Sequence, residues 1–259
     1  MKNALRIFIN LAVPQYLILI IFTTLSALLI MNSSPQFGST FFLAITSLSF
    51  SVFGLNSFNQ IFDIEIDKIS KPLRPLPSKE VSIKTAYIFS LLSFLVSIVV
   101  SLTVSLLFAA LVSFFVLLSV LYSLPPVRLK RYGLSSNIIG GTLYGAIPFA
   151  SAWIISGSSF PLSFFVLFYG LAISIATLKD FEDAKTEKRL GIKTLPVLLG
   201  YKKARLVMLH MILSLLIFML VSVFLIIDRI FIYPTLFCFF LLYIIKNLDL
   251  HRYQNVASQ

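Results

Sequence analysis

The chain has 259 residues, 58% of them hydrophobic and 12% charged, with a mean hydropathy of +0.97 and a formal charge of +11. This composition excludes a soluble globular domain and favours an integral membrane protein. The positive charge taken alone would suit nucleic-acid binding, but no segment is long and polar enough to form a soluble basic module.

Eight hydrophobic stretches predict an all-α, multi-pass transmembrane helical bundle that forms one domain over residues 1–259. A membrane-spanning helix needs roughly 20 apolar residues, and turn or charged residues separate the stretches. Glycines in the fifth stretch predict close helix packing there, at Gly140, Gly141 and Gly145. In chain order, spans 1 to 8 are Leu11–Met31, Phe41–Phe62, two helices within Thr85–Tyr122 that are broken near Ser101–Ser105, Ser136–Ile155, Leu162–Leu178, Leu206–Ile227 and Ile230–Ile245.

The distribution of charge predicts the orientation of these spans. Pairs of spans separate the charged clusters, so the clusters lie on one side of the membrane, and of 21 Lys and Arg residues only Arg229 falls on the other. Excess Lys and Arg marks the cytoplasmic side. We therefore expect both termini and the loops after spans 2, 4 and 6 to be cytoplasmic. Span 1 should be retained, because no small-residue cleavage site follows Lys2 and Arg6.

The end of span 2 carries the first acidic motif. Asn59, Asp63 and Asp67 follow each other at intervals of four residues, so a helix places them on one face. Glu65 falls on another face, and we expect it to be solvated. The motif thus presents a column of oxygen ligands where span 2 leaves the membrane.

A second acidic motif follows span 6, where steps of three and four residues place Asp180, Asp183 and Glu187 on a shared face. Hard oxygen ligands in this number suit Mg²⁺, which is readily shared with substrate phosphates. The simpler interpretation is that acidic residues cluster at helix ends and pair with nearby Lys and Arg. Two such motifs on one side of the membrane favour a shared diphosphate, because carboxylates near membrane depth are costly and usually functional.

Two basic loops accompany these motifs. Lys71 and Arg74 follow the first motif, in a segment stiffened by prolines. Arg128, Lys130 and Arg131 follow span 4, just after Pro125 and Pro126. Each loop either closes over an anion or only determines the direction of membrane insertion.

In these motifs the chain resembles the UbiA superfamily of intramembrane prenyltransferases. The matching segments keep their order along the chain: Asn59-x-x-x-Asp63-x-x-x-Asp67, Lys71-Pro72-x-Arg74-Pro75, Tyr122-Ser123, Lys179-Asp180-x-x-Asp183, and Gly191-x-x-Thr194-Leu195-Pro196-x-x-x-Gly200. The resemblance implies a helical bundle whose central cavity opens near the cytoplasmic face. It also implies Mg²⁺-dependent transfer of a polyprenyl group, of geranylgeranyl type, from its diphosphate to a lipid or aromatic acceptor.

The resemblance assigns roles to individual residues. It implies that Mg²⁺ and diphosphate are bound by Asn59, Asp63, Asp67, Asp183 and Glu187, with Asp180 close by in the same set. It implies that the leaving group is assisted by Lys71, Arg74 and Lys130, and that Tyr122 and Ser123 lie near the reacting carbon. Two features depart from the family pattern. Glu187 stands where the family commonly has Asp, and the tail Lys246–Gln259 is too short for the ninth helix that the family usually has.

The acceptor and the class of function have alternatives. A Tyr-Ser-x-Pro-Pro stretch is similar to members that prenylate chlorophyllide or homogentisate, whereas the compact length and the Lys-Asp-x-x-Asp segment are similar to archaeal ether-lipid synthases. A quinone-ring acid, a prenylated glycerol phosphate and a tetrapyrrole acid therefore stay open as acceptors. The rival functions are a carrier for anionic metabolites and a catalytically silent member of the same fold. A carrier should place charges on both faces or at the midplane, which this sequence does not.

Overall fold

The computed structural model describes residues 2–32, 37–189 and 191–226, without the side chains of residues 2–5, 134, 179, 182, 183 and 218–226. These residues form helices joined by short connections, which confirms the all-α prediction. A 3₁₀ turn covers Leu129–Arg131 and a π-helix covers Thr142–Ala146. The α-helices are α1 Lys2–Ala12, α2 Gln15–Met31, α3 Ser39–Phe62, α4 Ile64–Ser70, α5 Ile83–Val104, α6 Leu106–Ser123, α7 Gly133–Gly141, α8 Ile147–Ser156, α9 Leu162–Arg189 and α10 Leu195–Ile226.

Several of the predicted spans coincide with these helices. Within the described residues, four helical stretches are long and apolar enough to cross a membrane, and they correspond to spans 2 to 5: Ser39–Phe62, Ile83–Val104, Leu106–Ser123 and Ser135–Ser156. Leu162–Leu178, which is span 6, is a shorter apolar part of α9. Span 7 coincides with α10 up to Ile226, and its last residue lies outside the described residues. Span 8 and the tail after it lie outside the described residues, so the number of eight spans stays a prediction.

Span 1 was predicted as a continuous helix from Leu11, and this is wrong. The helix begins at Lys2 and is interrupted at Val13 and Pro14, after which α2 continues at an angle of 55°. Pro14 has no N–H to donate to the preceding turn, and Val13 takes a left-handed conformation with φ of 48°. The two pieces together are apolar enough to form one bent span.

The helices group into two compact units. For the residues that the structure describes, the first unit falls within Met1–Leu129 and Leu143–Pro161, and the second falls within Lys130–Thr142 and Leu162–Gln259. The single domain over residues 1–259 therefore stays a prediction.

Small residues bring α3 and α5 together in the first unit. Ser47 Oγ donates to the Ser97 carbonyl at 2.8 Å, and Ser90 Oγ donates to the Gly54 carbonyl at 2.9 Å. A Cβ on Gly54 would lie 2.5 Å from Cδ1 of Phe94, so only glycine leaves room for that ring. Serine and glycine at such contacts allow the close approach that stabilises helix pairs in lipid.

The bend between α1 and α2 is fixed by two amide side chains of α3. Gln60 Nε2 donates to the Leu11 carbonyl at 2.9 Å, and Asn56 Nδ2 donates to the Ala12 carbonyl at 2.9 Å. The last carbonyls of a helix have no donor within that helix. Asn56 and Gln60 supply donors to them, and both side chains are buried.

In the second unit, α9 packs against α10 and α7. The contact with α10 is an apolar core that includes Leu167, Phe181 and Met208. On the other side, Gly141 lies directly against Ile173, and Asn137 Nδ2 donates to Thr177 Oγ1 at 2.9 Å. The close packing predicted at Gly140 and Gly141 is thus confirmed, since a Cβ on Gly140 would lie 3.0 Å from Ala176.

Candidate functional site

The first acidic motif spans the junction between α3 and α4. Asp63 stands between the two helices with φ −102° and ψ 9°, outside the helical region. The backbone hydrogen bonds nevertheless continue at four-residue intervals: Asp63 N to Asn59 O at 3.0 Å, Asp67 N to Asp63 O at 2.8 Å, and Lys71 N to Asp67 O at 2.8 Å. The three candidate ligands therefore keep helical spacing through the break.

Asp63 forms a buried ion pair with Arg128. Arg128 Nη2 lies 2.8 Å from Asp63 Oδ1 and also donates to the Phe62 carbonyl at 2.9 Å. The side chain of Arg128 is 10% exposed and that of Asp63 is 5% exposed. Arg128 lies 65 positions after Asp63 in the sequence, in the loop that follows α6. This loop therefore contacts the first acidic motif directly.

Asp67 is held by Arg74 from the proline-containing loop. Arg74 Nη1 contacts both carboxylate oxygens of Asp67, at 2.7 and 3.0 Å. Burial raises the pKa of Asp67 above its ordinary value, and the nearby Asp63 adds to this. Arg74 and Lys71 oppose the rise by favouring the charged carboxylate.

Asn59, the remaining member of the column, contacts a residue that the family resemblance had assigned to the site. Asn59 Nδ2 donates to Ser123 Oγ at 3.3 Å, at the last residue of α6. The adjacent Tyr122 is half-buried. The structure thus brings Asn59, Asp63, Asp67, Arg74 and Ser123 into one connected group of the first unit.

Glu65 does not take part in this group. It forms an ion pair with Lys68 at 2.7 Å, and the two side chains are largely exposed. The prediction that Glu65 is solvated is therefore confirmed.

The second acidic motif lies on the last turns of α9, which continues past the apolar segment to Arg189. Glu187 is buried and accepts a 2.8 Å hydrogen bond from Thr194 Oγ1. Asp180 lies two helical turns earlier and is half-buried. The side chain of Asp183 is outside the described part of the chain. All of these residues belong to the second unit, so their convergence with Asp63 and Asp67 on one ligand stays a prediction.

Lys130 also belongs to the second unit, where it lies in the 3₁₀ turn before α7. The Arg131 carbonyl beside it accepts a 3.1 Å hydrogen bond from the Lys193 backbone N–H. This bond ties the turn to the Gly191–Gly200 segment that the resemblance had singled out. The second basic loop is thus joined to the segment that carries Thr194.

The donor chemistry of the first motif fits Mg²⁺. Within the described part of the chain, no three Asp, Glu, His or Cys side chains lie close enough together to enclose a metal ion by themselves. Mg²⁺ is usually held by one or two carboxylates and completes its shell with water and substrate phosphates. Asp63 and Asp67, one turn apart and preceded by the Asn59 amide, provide hard oxygen donors of this kind.

Sequence reasoning placed Arg128 in a basic loop but did not include it among the site residues. The structure makes it the partner of Asp63, and likewise makes Thr194 the partner of Glu187. The pairing of both carboxylates of the first motif with arginine agrees with the simpler interpretation of the acidic clusters. It also provides the cations that a bound diphosphate needs beside its metal.

Comparison with known proteins identifies relatives of this chain. A family model described as the UbiA prenyltransferase family matches residues 19–259. The digeranylgeranylglyceryl phosphate synthase of Methanococcoides burtonii is 34% identical over 171 residues, covering 61% of this chain and 58% of that protein. The chloroplastic 2-acyl-4-prenylphloroglucinol 6-prenyltransferase of Humulus lupulus is 30% identical over 165 residues, covering 59% and 40%. The matched region therefore spans at most about three-fifths of either relative.

The fold also matches a solved structure. A UbiA homologue from Archaeoglobus fulgidus, bound to GPP and Mg²⁺, has a TM-score of 0.81 at 18% sequence identity, with 97% of this chain and 95% of that chain covered. At this identity the likeness shows the fold alone. It confirms the prediction of a multi-pass membrane bundle.

Proposed function

Because this chain belongs to the UbiA prenyltransferase family, we propose that it transfers a polyprenyl group of geranylgeranyl type from its diphosphate to an acceptor. The observation that carries the proposal is the column of Asn59, Asp63 and Asp67, in which each carboxylate has an arginine beside it. Such an arrangement provides ligands for a metal and donors for a diphosphate at the same place. The A. fulgidus homologue was solved with a prenyl diphosphate and Mg²⁺, which supports this pairing of ligands.

Mg²⁺ would be held by Asn59, Asp63 and Asp67 of the first motif and by Asp180, Asp183 and Glu187 of the second. When bound, it would supply positive charge to the diphosphate as the carbon–oxygen bond of the allylic ester breaks. The protein must keep these carboxylates deprotonated and correctly oriented. In the first motif, Arg74 favours the charged form of Asp67. Arg128 holds Asp63 in an ion pair.

Cationic residues of the two basic loops would bind the departing diphosphate. Arg74 already lies at a candidate ligand, and Lys71 lies one turn after Asp67 on the same hydrogen-bonded ladder. Lys130 would contribute from the turn before α7. Bidentate guanidinium groups bind phosphate oxygens strongly, which suits this role for Arg74.

Tyr122 and Ser123 would line the site near the reacting carbon. Ser123 is buried and accepts the Asn59 amide, so its position relative to the acidic column is fixed. The apolar helices around the site would exclude water, which otherwise captures the cation-like carbon before the acceptor does.

The acceptor that we propose is a prenylated glycerol phosphate. This choice is supported by the M. burtonii relative, whose name is that of a digeranylgeranylglyceryl phosphate synthase. An aromatic acceptor is the second candidate, since the H. lupulus relative is a phloroglucinol prenyltransferase. The chain would act in the membrane as one domain, with both termini and the acidic motifs on the cytoplasmic side.

The test is incubation of the purified, lipid-reconstituted protein with Mg²⁺, labelled geranylgeranyl diphosphate and a panel of acceptors, with products identified by mass spectrometry. We expect transfer to geranylgeranylglyceryl phosphate and no transfer when a chelator removes Mg²⁺. Transfer to an aromatic acid alone would overturn the choice of acceptor. If Mg²⁺-loaded protein consumed no prenyl diphosphate with any acceptor, the proposal of prenyl transfer would be wrong.

A further inference from the structure

The loop between α6 and the 3₁₀ turn directs one arginine into the protein. Pro125 and Pro126 follow the end of α6, and the Arg128 backbone N–H donates to the Leu124 carbonyl at 2.8 Å. Arg128 has φ of 35°, a left-handed conformation that is uncommon for a residue with a side chain. Although its neighbours Leu124 and Val127 are exposed, Arg128 is buried. The loop thus keeps a strained backbone conformation where it buries a guanidinium.

The guanidinium contacts two groups at the α3–α4 junction. One nitrogen, Nη2, bonds both to Asp63 Oδ1 and to the Phe62 carbonyl. The carbonyl belongs to the backbone and cannot rotate as a side chain does. Arg128 therefore connects the Asp63 carboxylate to a fixed point and restricts its rotation.

The Nε donor of Arg128 indicates that this residue does more than stabilise the loop. The Nε of Arg128 is buried, and no hydrogen-bond acceptor for it is found among the residues that the structure describes. A buried unpaired donor is costly, and native structures usually avoid one unless the site has another use. An arginine selected only to hold the loop would be expected to satisfy its buried donors.

We propose that Arg128 is a positioning residue that orients Asp63 for the metal–diphosphate complex. By holding Oδ1, it fixes the orientation of the carboxylate, as hydrogen-bond partners outside the metal's own ligands do for metal-binding carboxylates and histidines. This inference rests on the proposed function only for the identity of the diphosphate. The contact of Arg128 with Asp63 is independent of the reaction.

The first test measures metal binding without turnover. Mn²⁺ is titrated into the purified full-length protein with inorganic pyrophosphate, and free Mn²⁺ is followed by electron paramagnetic resonance. We expect Arg128→Ala to weaken Mn²⁺ binding about tenfold or more, the range found when outer-shell partners are removed. Arg128→Lys keeps the charge and should recover part of the affinity. Arg6→Ala, an exposed arginine of α1 outside both basic loops, should bind as the wild type does.

A double-mutant cycle separates positioning from general stabilisation. If Arg128 acts through Asp63, adding Arg128→Ala to Asp63→Asn should cause no further loss of Mn²⁺ affinity. If Arg128→Ala lowers the Mn²⁺ affinity by the same factor in the Asp63→Asn protein as in the wild type, the proposal is wrong. So would an Arg128→Ala protein that melts at a lower temperature but binds Mn²⁺ like the wild type. If Arg128→Ala does not fold, Arg128→Lys is compared with Arg128→Gln, and equal affinities of these two would also overturn it.

The same proteins distinguish this inference from the proposed function. In a transfer assay, Arg128→Ala should raise the Mg²⁺ concentration for half-maximal rate. If the wild-type protein transfers no prenyl group but the Mn²⁺ and pyrophosphate pattern holds, the proposed function fails and the role of Arg128 stands. If the wild-type protein is active and Arg128→Ala does not change its metal dependence, the proposed function stands and the role of Arg128 fails.

Discussion

Thr194 Oγ1 donates a 2.8 Å hydrogen bond to Glu187 Oε2, and both side chains are buried. The Ile192 backbone N–H donates to the Glu187 carbonyl as well, at 2.9 Å. Glu187 therefore fixes the connection between α9 and α10 through its backbone and its side chain. Its arm, one methylene longer than that of the Asp common in the family, is used for this contact.

Thr194→Val should destabilise the second unit. It removes the hydroxyl but keeps the shape of the side chain, and leaves the Glu187 carboxylate without this donor. We expect a loss of roughly 1 to 3 kcal/mol in the free energy of unfolding, measured by thermal unfolding of the purified protein. Thr103→Val is the matched control, since Thr103 is exposed. Equal melting temperatures of the two variants would show that the buried bond contributes nothing.

Glu187→Gln should separate stability from catalysis. The amide oxygen still accepts from Thr194, so the melting temperature should stay close to that of the wild type. The lost charge should weaken a bound divalent ion, and we expect the rate of prenyl transfer at limiting Mg²⁺ to fall about tenfold or more. A variant that is stable and fully active at limiting Mg²⁺ would remove Glu187 from the proposed ligand set.

The membrane helices were predictable because the break points are local in sequence. Ser105, where α5 ends and α6 begins, lies within the break predicted near Ser101–Ser105, and its hydroxyl accepts the Phe108 backbone N–H. The interruption at Val13 and Pro14 was missed, although proline inside an apolar run is a recognised signal for a helix break. Hydropathy alone does not register it, since valine and proline leave the run apolar.

Arg74→Ala should destabilise the protein through the carboxylate that it leaves behind. Asp67 is only 3% exposed, and its pKa is already raised by burial. Without Arg74 the charged form loses its closest partner, and we expect a cost of roughly 1 to 3 kcal/mol in unfolding free energy. Lys68→Ala is the control, because the Lys68–Glu65 pair is exposed and such pairs contribute little. Equal melting temperatures of the two variants would contradict the assignment.

Gly54→Ala should lower stability even though alanine favours helix. The new methyl group would collide with the Phe94 ring at 2.5 Å, and overpacking of this kind typically costs about 1 to 3 kcal/mol. Phe94→Leu in the same protein removes ring atoms from that position. The double variant should therefore be more stable than the sum of the single effects predicts, as measured by thermal unfolding. Strict additivity would rule out the collision.

Asp63→Ala and Asp183→Ala should each abolish prenyl transfer while the protein still inserts into the membrane. Removal of a metal ligand takes away charge needed on the leaving diphosphate, and we expect a loss of at least about 100-fold in rate. Membrane fractionation and size-exclusion chromatography check insertion and folding. Near-normal turnover of both purified variants would show that these residues do not bind the catalytic metal.

The ligand column was predictable from the sequence, but its partners were not. A spacing of four residues in Asn59, Asp63 and Asp67 already specifies a shared face. The partner of Asp63 lies 65 residues later, and nothing in the periodicity of either segment connects the two. The local signal was the pair of prolines before Arg128, which fixes the loop but does not show which cation turns inward.

The amide contacts of α3 have a mechanical consequence for the N-terminal helix. Gln60, the immediate neighbour of Asn59, holds the Leu11 carbonyl, while Asn56 holds that of Ala12. A rotation of α1 about the bend at Val13 and Pro14 would break these buried hydrogen bonds. The end of α1 and the part of α3 that leads into Asn59 are therefore coupled. A displacement of α1 should also displace Gln60, the residue next to Asn59.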